Sequence, residues 1–270
     1  MDNEQTSNAL STTALKMLDL LEAWAGLDQP VGVMELVRIT GMGKTTVTRL
    51  INALIQKRLV HRVPQTHTYV LGTKLLEWGT LTVWVRGFYE SVRPYMALLS
   101  ETLGETAHLG VLDDYDVVYV GQHQASGSVK PVVRVGSRVP SYCTAMGKVL
   151  IAHLPSDQQD DYLRNHPKRS HTNNTIIDSE RLRIVIAEVQ VSGYAFDDEE
   201  HRLGIRCVAA PIVNSMGKAV AALSVTAPSS RMKRDHKDRA IELVRHIAMQ
   251  ASQDLGWRAE GTWLPDSSRS

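Results

Sequence analysis

In residues 34–53 apolar positions fall on one side of two short stretches with helical spacing. Leu36, Val37 and Ile39 mark the first, and Val47, Leu50 and Ile51, continued by Leu54, mark the second. Between them Gly41-Met42-Gly43 supplies a tight turn, where a glycine takes positive φ without steric cost. The second helix opens on Lys44, Thr45 and Thr46, with Thr48 and Arg49 a turn later, all on the face that the apolar stripe leaves free. A helix entering the DNA major groove with its N-terminal residues forward needs that arrangement.

The flanking pattern completes a module. Leu15, Leu18 and Leu21, with Ala14, Met17 and Trp24, predict an amphipathic first helix begun near Ser11 or Thr12 and closed by a loop at 26–32. After the helix-turn-helix, which runs to about Lys57, residues 59–62 and 69–71 read as short strands around Val63-Pro64-Gln65-Thr66-His67. That hairpin is a wing, with Arg62 and His67 near the phosphates.

Further on the pattern predicts a helix over 74–88, with Leu81, Trp84, Val85 and Phe88 on one side. A second helix over 89–102 contains Pro94, which bends or resets it. Residues 106–112 and 117–122 form a strand-turn-strand around Asp113-Asp114-Tyr115-Asp116, and 129–135 adds a strand. Thr144 caps a helix running through Gly147 to His153; 157–163 and 179–191 are further helices, the latter ending at Gly193. Residues 206–213 and 219–226 make a hairpin, and 235–255 a closing helix that buries Ile241, Val244, Ile247, Ala248, Ala251 and Leu255. Hairpin strands with helices around them give an α+β domain rather than a parallel sheet. Residues 1–11 and 257–270 are expected to be loose.

Length and charge sharpen this picture. The 270 residues suggest two domains with ample core. Residues 36–76 carry seven basic side chains (Arg38, Lys44, Arg49, Lys57, Arg58, Arg62, Lys74) and no Asp or Glu, whereas beyond residue 80 there are 22 of each sign. A basic field confined to one module points to a polyanion for that module alone. The polar, acidic N-terminus is neither a signal nor a transit peptide, and no apolar run spans a bilayer, so a cytoplasmic, membrane-free protein is expected. Cys143 and Cys207 are the only cysteines and form no Cys/His cluster, which speaks against a disulfide framework or structural zinc. Gly41-Met42-Gly43-Lys44-Thr45 superficially resembles a phosphate loop, but Arg38 stands where the first glycine belongs.

Several motifs spread over 10–256 together resemble the IclR family of transcriptional regulators. They are the helix-turn-helix with its wing through Leu71-Gly72-Thr73-Lys74-Leu75-Leu76-Glu77, Thr144-Ala145-Met146-Gly147-Lys148, and Gly193-Tyr194-Ala195-Phe196-Asp197-Asp198-Glu199-Glu200. Arg206-Cys207-Val208-Ala209-Ala210-Pro211 and Ala222-Leu223-Ser224-Val225-Thr226 complete the set. The resemblance implies an N-terminal winged helix-turn-helix over 10–72, a linker helix over 73–88, a C-terminal GAF-like effector-binding domain over 89–256 and a flexible tail. It also implies a homodimer, often paired into tetramers, on a pseudo-palindromic double-stranded operator, with a small organic or aromatic acid as effector and no cofactor or metal. DNA contacts are expected from Lys44, Thr45, Thr46, Thr48, Arg49, Arg62 and His67. By motif position the resemblance assigns Ala145, Met146, Asp197, Ile205, Cys207, Ser224 and Thr226 to the effector pocket, and Tyr142 offers it a ring with a polar tip. Tyr142 stands where many members carry histidine and Val213 where the signature prefers an aromatic or histidine; both are expected near the ligand.

Chemistry supports that placement. The first amides of the helix after Thr144 suit a carboxylate, and Ser224 and Thr226, two apart on a strand, share a face. Asp197 can accept from an effector hydroxyl but repels an anion unless a proton or water intervenes. The rest of the acidic run reads as a solvated loop rather than a metal site. An enzyme using Cys143 or Ser224 with His108 or His153 lacks any recognisable triad motif and leaves the basic module unexplained. A winged-helix adaptor binding protein instead of DNA is the alternative, separable by the steep salt dependence of phosphate neutralisation.

Overall fold

The computed structural model describes residues 12–25, 27, 29–80, 83–125 and 134–258, without the side chains of 79–86, and the chain divides into two compact units, 1–86 and 87–270. In the first, α1 (Thr12–Ala25), β1 (Val31–Gly32), α2 (Val33–Thr40) and α3 (Lys44–Gln56) precede β2 (Val60–Arg62) and β3 (Thr68–Leu71). The small antiparallel sheet has the order β1-β3-β2, so the hairpin wing gains a two-residue strand that the pattern did not predict. Leu20, Trp24, Leu36, Val47, Leu50, Ile51 and Leu54 are buried together with Val31, Leu59 and Val60. The expected stripe of α1 is corrected here. Leu15 and Leu18 are exposed, and the core side is carried by Leu20 and Trp24 with Met17 and Leu21 beside them.

α4 (Lys74–Thr80) follows the wing, and α5 (Val83–Leu103) runs unbroken through Phe88 and Pro94, so the helix boundary expected at 88–89 is absent. Pro94 is exposed, which leaves the Glu90 carbonyl it cannot pair on the solvent side. Of the apolar side expected on the linker, Leu81 and the side chains of Trp84 and Val85 lie outside the described residues; Phe88 packs partly buried against the core of the second unit.

The second unit is built on a six-stranded antiparallel sheet of order β6-β5-β4-β9-β8-β7, made of β4 (Thr106–Asp113), β5 (Asp116–Gln124), β6 (Arg138–Pro140), β7 (Ala195–Asp198), β8 (Ile205–Val213) and β9 (Ala219–Pro228). The expected strand at 129–135 lies outside the described residues as far as 133, and Val135 is exposed in a turn before the unpredicted β6. Likewise, the expected loose ends at 1–11 and beyond 258 lie outside them. Side-chain parity gives the sheet two faces. Ala107, Leu109, Val111, Val208, Ala210, Ile212, Ala221, Leu223 and Val225 pack on one side in a core with residues of α5 and α9 (Arg234–Asp254). The alternate residues Ala209, Ala222 and Ala195 face a second core with α6 (Ala145–Ala152), α7 (Ser156–Asn165) and α8 (Ser179–Ser192). In α9, Val244, Ile247, Ala248 and Ala251 are buried as expected, while Ile241 and Leu255 are half-buried.

Local signals set the helix ends. Thr144 caps α6 by accepting from the Gly147 amide, and Gly193 ends α8 in the left-handed region at φ 72°. Gly147 also lets α6 close on the preceding loop, because a Cβ there would lie 2.2 Å from backbone atoms of Ser141. The architecture is that of an α+β protein with an N-terminal winged helix-turn-helix and a C-terminal GAF-like domain.

Candidate functional site

Two polar surfaces stand out, one in each unit. On the first, Gly41 closes α2 with φ 67° and Gly43 precedes α3 in extended backbone without a side-chain cap. Val47, Leu50, Ile51 and Leu54 point inward, so Lys44, Thr45, Thr48 and Arg49 are exposed on the opposite side, while Thr46 is half-buried. Uncapped first-turn N–H groups and these side chains form one donor-rich end. At the wing tip Arg62 and His67 are exposed, and an Arg62 Nη donates to His67 Nδ1 at 3.3 Å. Because guanidinium only donates, His67 Nδ1 is the acceptor in this contact. Arg38 and Lys74 are paired to Glu35 and Glu77, whereas Lys44, Arg49, Lys57, Arg58 and Arg62 make no ion pair among the described residues.

In the second unit the sheet face under α6 encloses a cavity of about 40 Å³. That is room for a few waters or a compact ligand. Ala145, Met146, Asp197, Ile205, Cys207, Ser224 and Thr226 all line it, joined by His108, Tyr119, Thr144, His201 and Arg202. The register brings these distant residues together. Asp197 lies across from Cys207, Cys207 from Thr226, and His108 from Ser224, so a polar floor crosses four adjacent strands on one face. Cys207 Sγ and Thr226 Oγ1 are 3.1 Å apart, and Thr226 Oγ1 lies 3.3 Å from His108 Nδ1.

Tyr142 and Val213 are corrected: neither lines the cavity. The Tyr142 hydroxyl bridges the backbone of Arg169, donating to its O and accepting from its N at 2.9 Å each, and lies 3.1 Å from His171 Nε2. Val213 sits at the far end of β8, its amide donating to Ser252 Oγ. Nor is the rest of the acidic run entirely a solvated loop, although Asp198 is exposed and Glu199 half-buried. Asp197 and Glu200 are buried, and β7 supplies the first two acids. Lys148, itself 1% exposed, donates to the Phe196 carbonyl at 2.8 Å and pairs with Glu200. The Glu200 amide donates to Asp197 Oδ1 at 2.8 Å, and Thr172 and Thr175 hydroxyls donate to the Glu200 carbonyl. This network fixes Asp197 at the cavity wall.

Burial pushes the Asp197 carboxyl up to about 7, against the opposing pull of Lys148 and of the amide bonds it accepts. At neutral pH it is therefore partly protonated, which relieves the repulsion expected towards an anion. Burial holds His108 neutral, with its pKa down to about 4, and pushes the Cys143 and Cys207 thiols up, away from nucleophilic thiolate. In the sequence His108 enters only as a candidate base. Its parity with Thr106 and Gly110, opposite to buried Ala107, Leu109 and Val111, was the available signal.

Residues 82–253 match the family model described as bacterial transcriptional regulator IclR C-terminal, and residues 13–64 match the IclR helix-turn-helix domain. The chain is 30% identical over 246 residues to the HTH-type transcriptional regulator XynR of Escherichia coli (strain K12), covering 91% of this chain and 96% of that one. It is similar to the crystal structure of the Thermotoga maritima IclR, with TM-score 0.75 and 27% identity over 91% of this chain and 99% of the other. An IclR homolog from Microbacterium hydrocarbonoxydans, solved in complex with 4-hydroxybenzoate, shares the fold at TM-score 0.80 and 21% identity, over 91% and 99% of the two chains.

Proposed function

The chain belongs to the IclR family of DNA-binding transcriptional regulators, and on that premise we propose that its hold on one operator is modulated by a small organic or aromatic acid in the cavity under α6. The observation that carries the proposal is the polar floor. Asp197, Cys207, Ser224 and Thr226 come from three strands to one enclosed space beside the open end of α6. The Thr144 hydroxyl takes the Gly147 amide, which leaves the Ala145 and Met146 N–H groups and the positive end of the helix to receive a carboxylate. Ser224 and Thr226 supply hydroxyls, and Met146 and Ile205 apolar wall.

On the DNA side, α3 enters the major groove with Lys44, Thr45, Thr48 and Arg49 foremost and Thr46 at its margin. Arg62 and His67 of the wing meet phosphates. A homodimer, pairing into tetramers, presents two such modules to a pseudo-palindromic operator in the cytoplasm. The effector acts by binding two arrangements of the regulator with different affinity. Residues 73–88 link the module at 10–72 to the effector domain at 89–256.

A thermal-shift screen of small organic and aromatic acids, including 4-hydroxybenzoate, on the full chain tests this. A binding acid raises the melting temperature by mass action and changes operator affinity in a gel-shift titration. Ser224→Ala abolishes the response while operator binding without the acid persists. If no acid shifts either quantity, the proposal is wrong.

A further inference from the structure

His108 stands on the cavity floor, on β4, directly across from Ser224 of β9. It is 1% exposed and its ring meets Tyr119 edge-on, with centroids 5.2 Å apart. Nδ1 is engaged by the Thr226 hydroxyl, but Nε2 is buried without a hydrogen-bond partner in the protein. A buried polar atom left unpaired is costly, and the fold makes no internal use of this one. The His108 ring lines the same cavity as Ala145 and Met146, whose amides open α6, so a ligand bound there is within reach of this edge of the ring.

The chemistry of that atom restricts the ligand. Burial keeps the imidazole neutral, so it offers no counter-charge to a second carboxylate. The other cations at hand do not change this, since Lys148 is held by Glu200 and Arg202 is exposed at the cavity's edge. Thr226 can donate to Nδ1 or accept from it, so Nε2 is a donor in one tautomer and an acceptor in the other. A hydroxyl satisfies both, whereas a methyl or an aromatic C–H satisfies neither.

We propose that His108 selects the effector, which is a small hydroxy monocarboxylic acid with its carboxylate at the amino end of α6 and its hydroxyl hydrogen-bonded to His108 Nε2. This rests on the effector reading of the cavity. A site built to pair a hydroxyl discriminates strongly against the analogue lacking it, because its own polar atom is then left unpaired.

Calorimetric titration of the full chain with two matched sets of acids tests the inference: 4-hydroxybenzoate, benzoate and terephthalate, and 4-hydroxybutanoate, butanoate and succinate. In at least one set the hydroxy acid binds about tenfold or more tighter than both partners. His108→Phe keeps the ring but brings the hydroxy acid down to the affinity of its parent, leaving the parent itself unchanged. His108→Gln, whose amide reaches the Nε2 position, restores part of the preference. A preference restored by Gln is a readout that a merely structural role for His108 does not move. If acids bind in a manner abolished by Ser224→Ala, yet hydroxy and parent forms bind alike or His108→Phe leaves their ratio intact, the His108 inference falls and the effector reading stands. If none of the six acids binds, or binding ignores Ser224→Ala, the effector reading falls and this inference with it.

Discussion

Residues 31–71 keep their polar groups outside a small apolar core, whereas the larger unit carries Asp197, Glu200, Lys148, His108 and Ser224 into its interior. The same residue types therefore follow different physics. Around α3 and the wing, Lys44, Arg49 and Arg62 are exposed, so their charges are solvated and screened by salt. Under α6, each polar group has lost its water, so its partner decides whether it stabilises or costs.

The largest expected break of this contrast is at the buried pair. Lys148→Met strands the Glu200 carboxylate and destabilises the fold by about 3–5 kcal/mol, while Lys148→Met with Glu200→Gln recovers a good part of it. Equilibrium urea denaturation measures both, and a change of the size seen for a surface ion pair, about 0–1 kcal/mol, would erase the distinction. Next comes acid lability. His108 is depressed to about 4 in the folded state against about 6.5 unfolded, so its contribution is complete above pH 6.5 and is lost as pH falls towards 4. That is about 3 kcal/mol over the window. Stability curves of His108→Phe flatten there relative to wild type; parallel curves would mean that the imidazole is not held neutral.

On the exposed side the effects are smaller. Arg49→Ala weakens operator binding by about 1–3 kcal/mol if the guanidinium reads a base, and reduces the salt slope by about one if it meets a phosphate. Gel-shift titrations at several salt concentrations separate the two, and unchanged affinity at every concentration removes Arg49 from the interface. The smallest effect sharpens the comparison by pH. Asp197, pushed up to about 7 by burial, faces Lys148, the Glu200 carboxylate and its amide, and His201. As pH rises through that value the carboxylate charges, and affinity for an acid effector falls by at most about tenfold per pH unit. Asp197→Asn, which retains an oxygen for the Glu200 amide, binds with a flatter profile; a wild-type profile already flat between pH 6 and 8 would show that the Asp197 charge does not meet the ligand.

The difference between the units also explains what could be read in advance. The helix-turn-helix, the wing strands, the Thr144 cap and the Gly193 stop depend on neighbours within a few residues, so local spacing and glycine chemistry announce them. The alternation in β8 and β9 announces their hairpin in the same way. Motif resemblance assigns to the pocket seven residues that line the cavity, whereas Tyr142, expected near the ligand because it stands where many members carry histidine, has its hydroxyl tied to Arg169 and His171 instead. Glu200 reads as solvated with the rest of the acidic run after Asp197, because its burial depends on Lys148, about fifty positions earlier in the chain.

By itself, then, the sequence determined the kinds of element, the basic reading head and the chemical inventory of the larger domain, since propensity, periodicity and charge act over short separations. Only the tertiary structure decided which of those groups share an enclosed space. Strand register joins His108 to Ser224 and Asp197 to Cys207 and Thr226, and the packing of α6 on the loop at Ser141 closes the cavity over them. Which groups then lose water is set by contacts between residues far apart in the chain, and that loss is what makes His108 and Asp197 chemically distinctive.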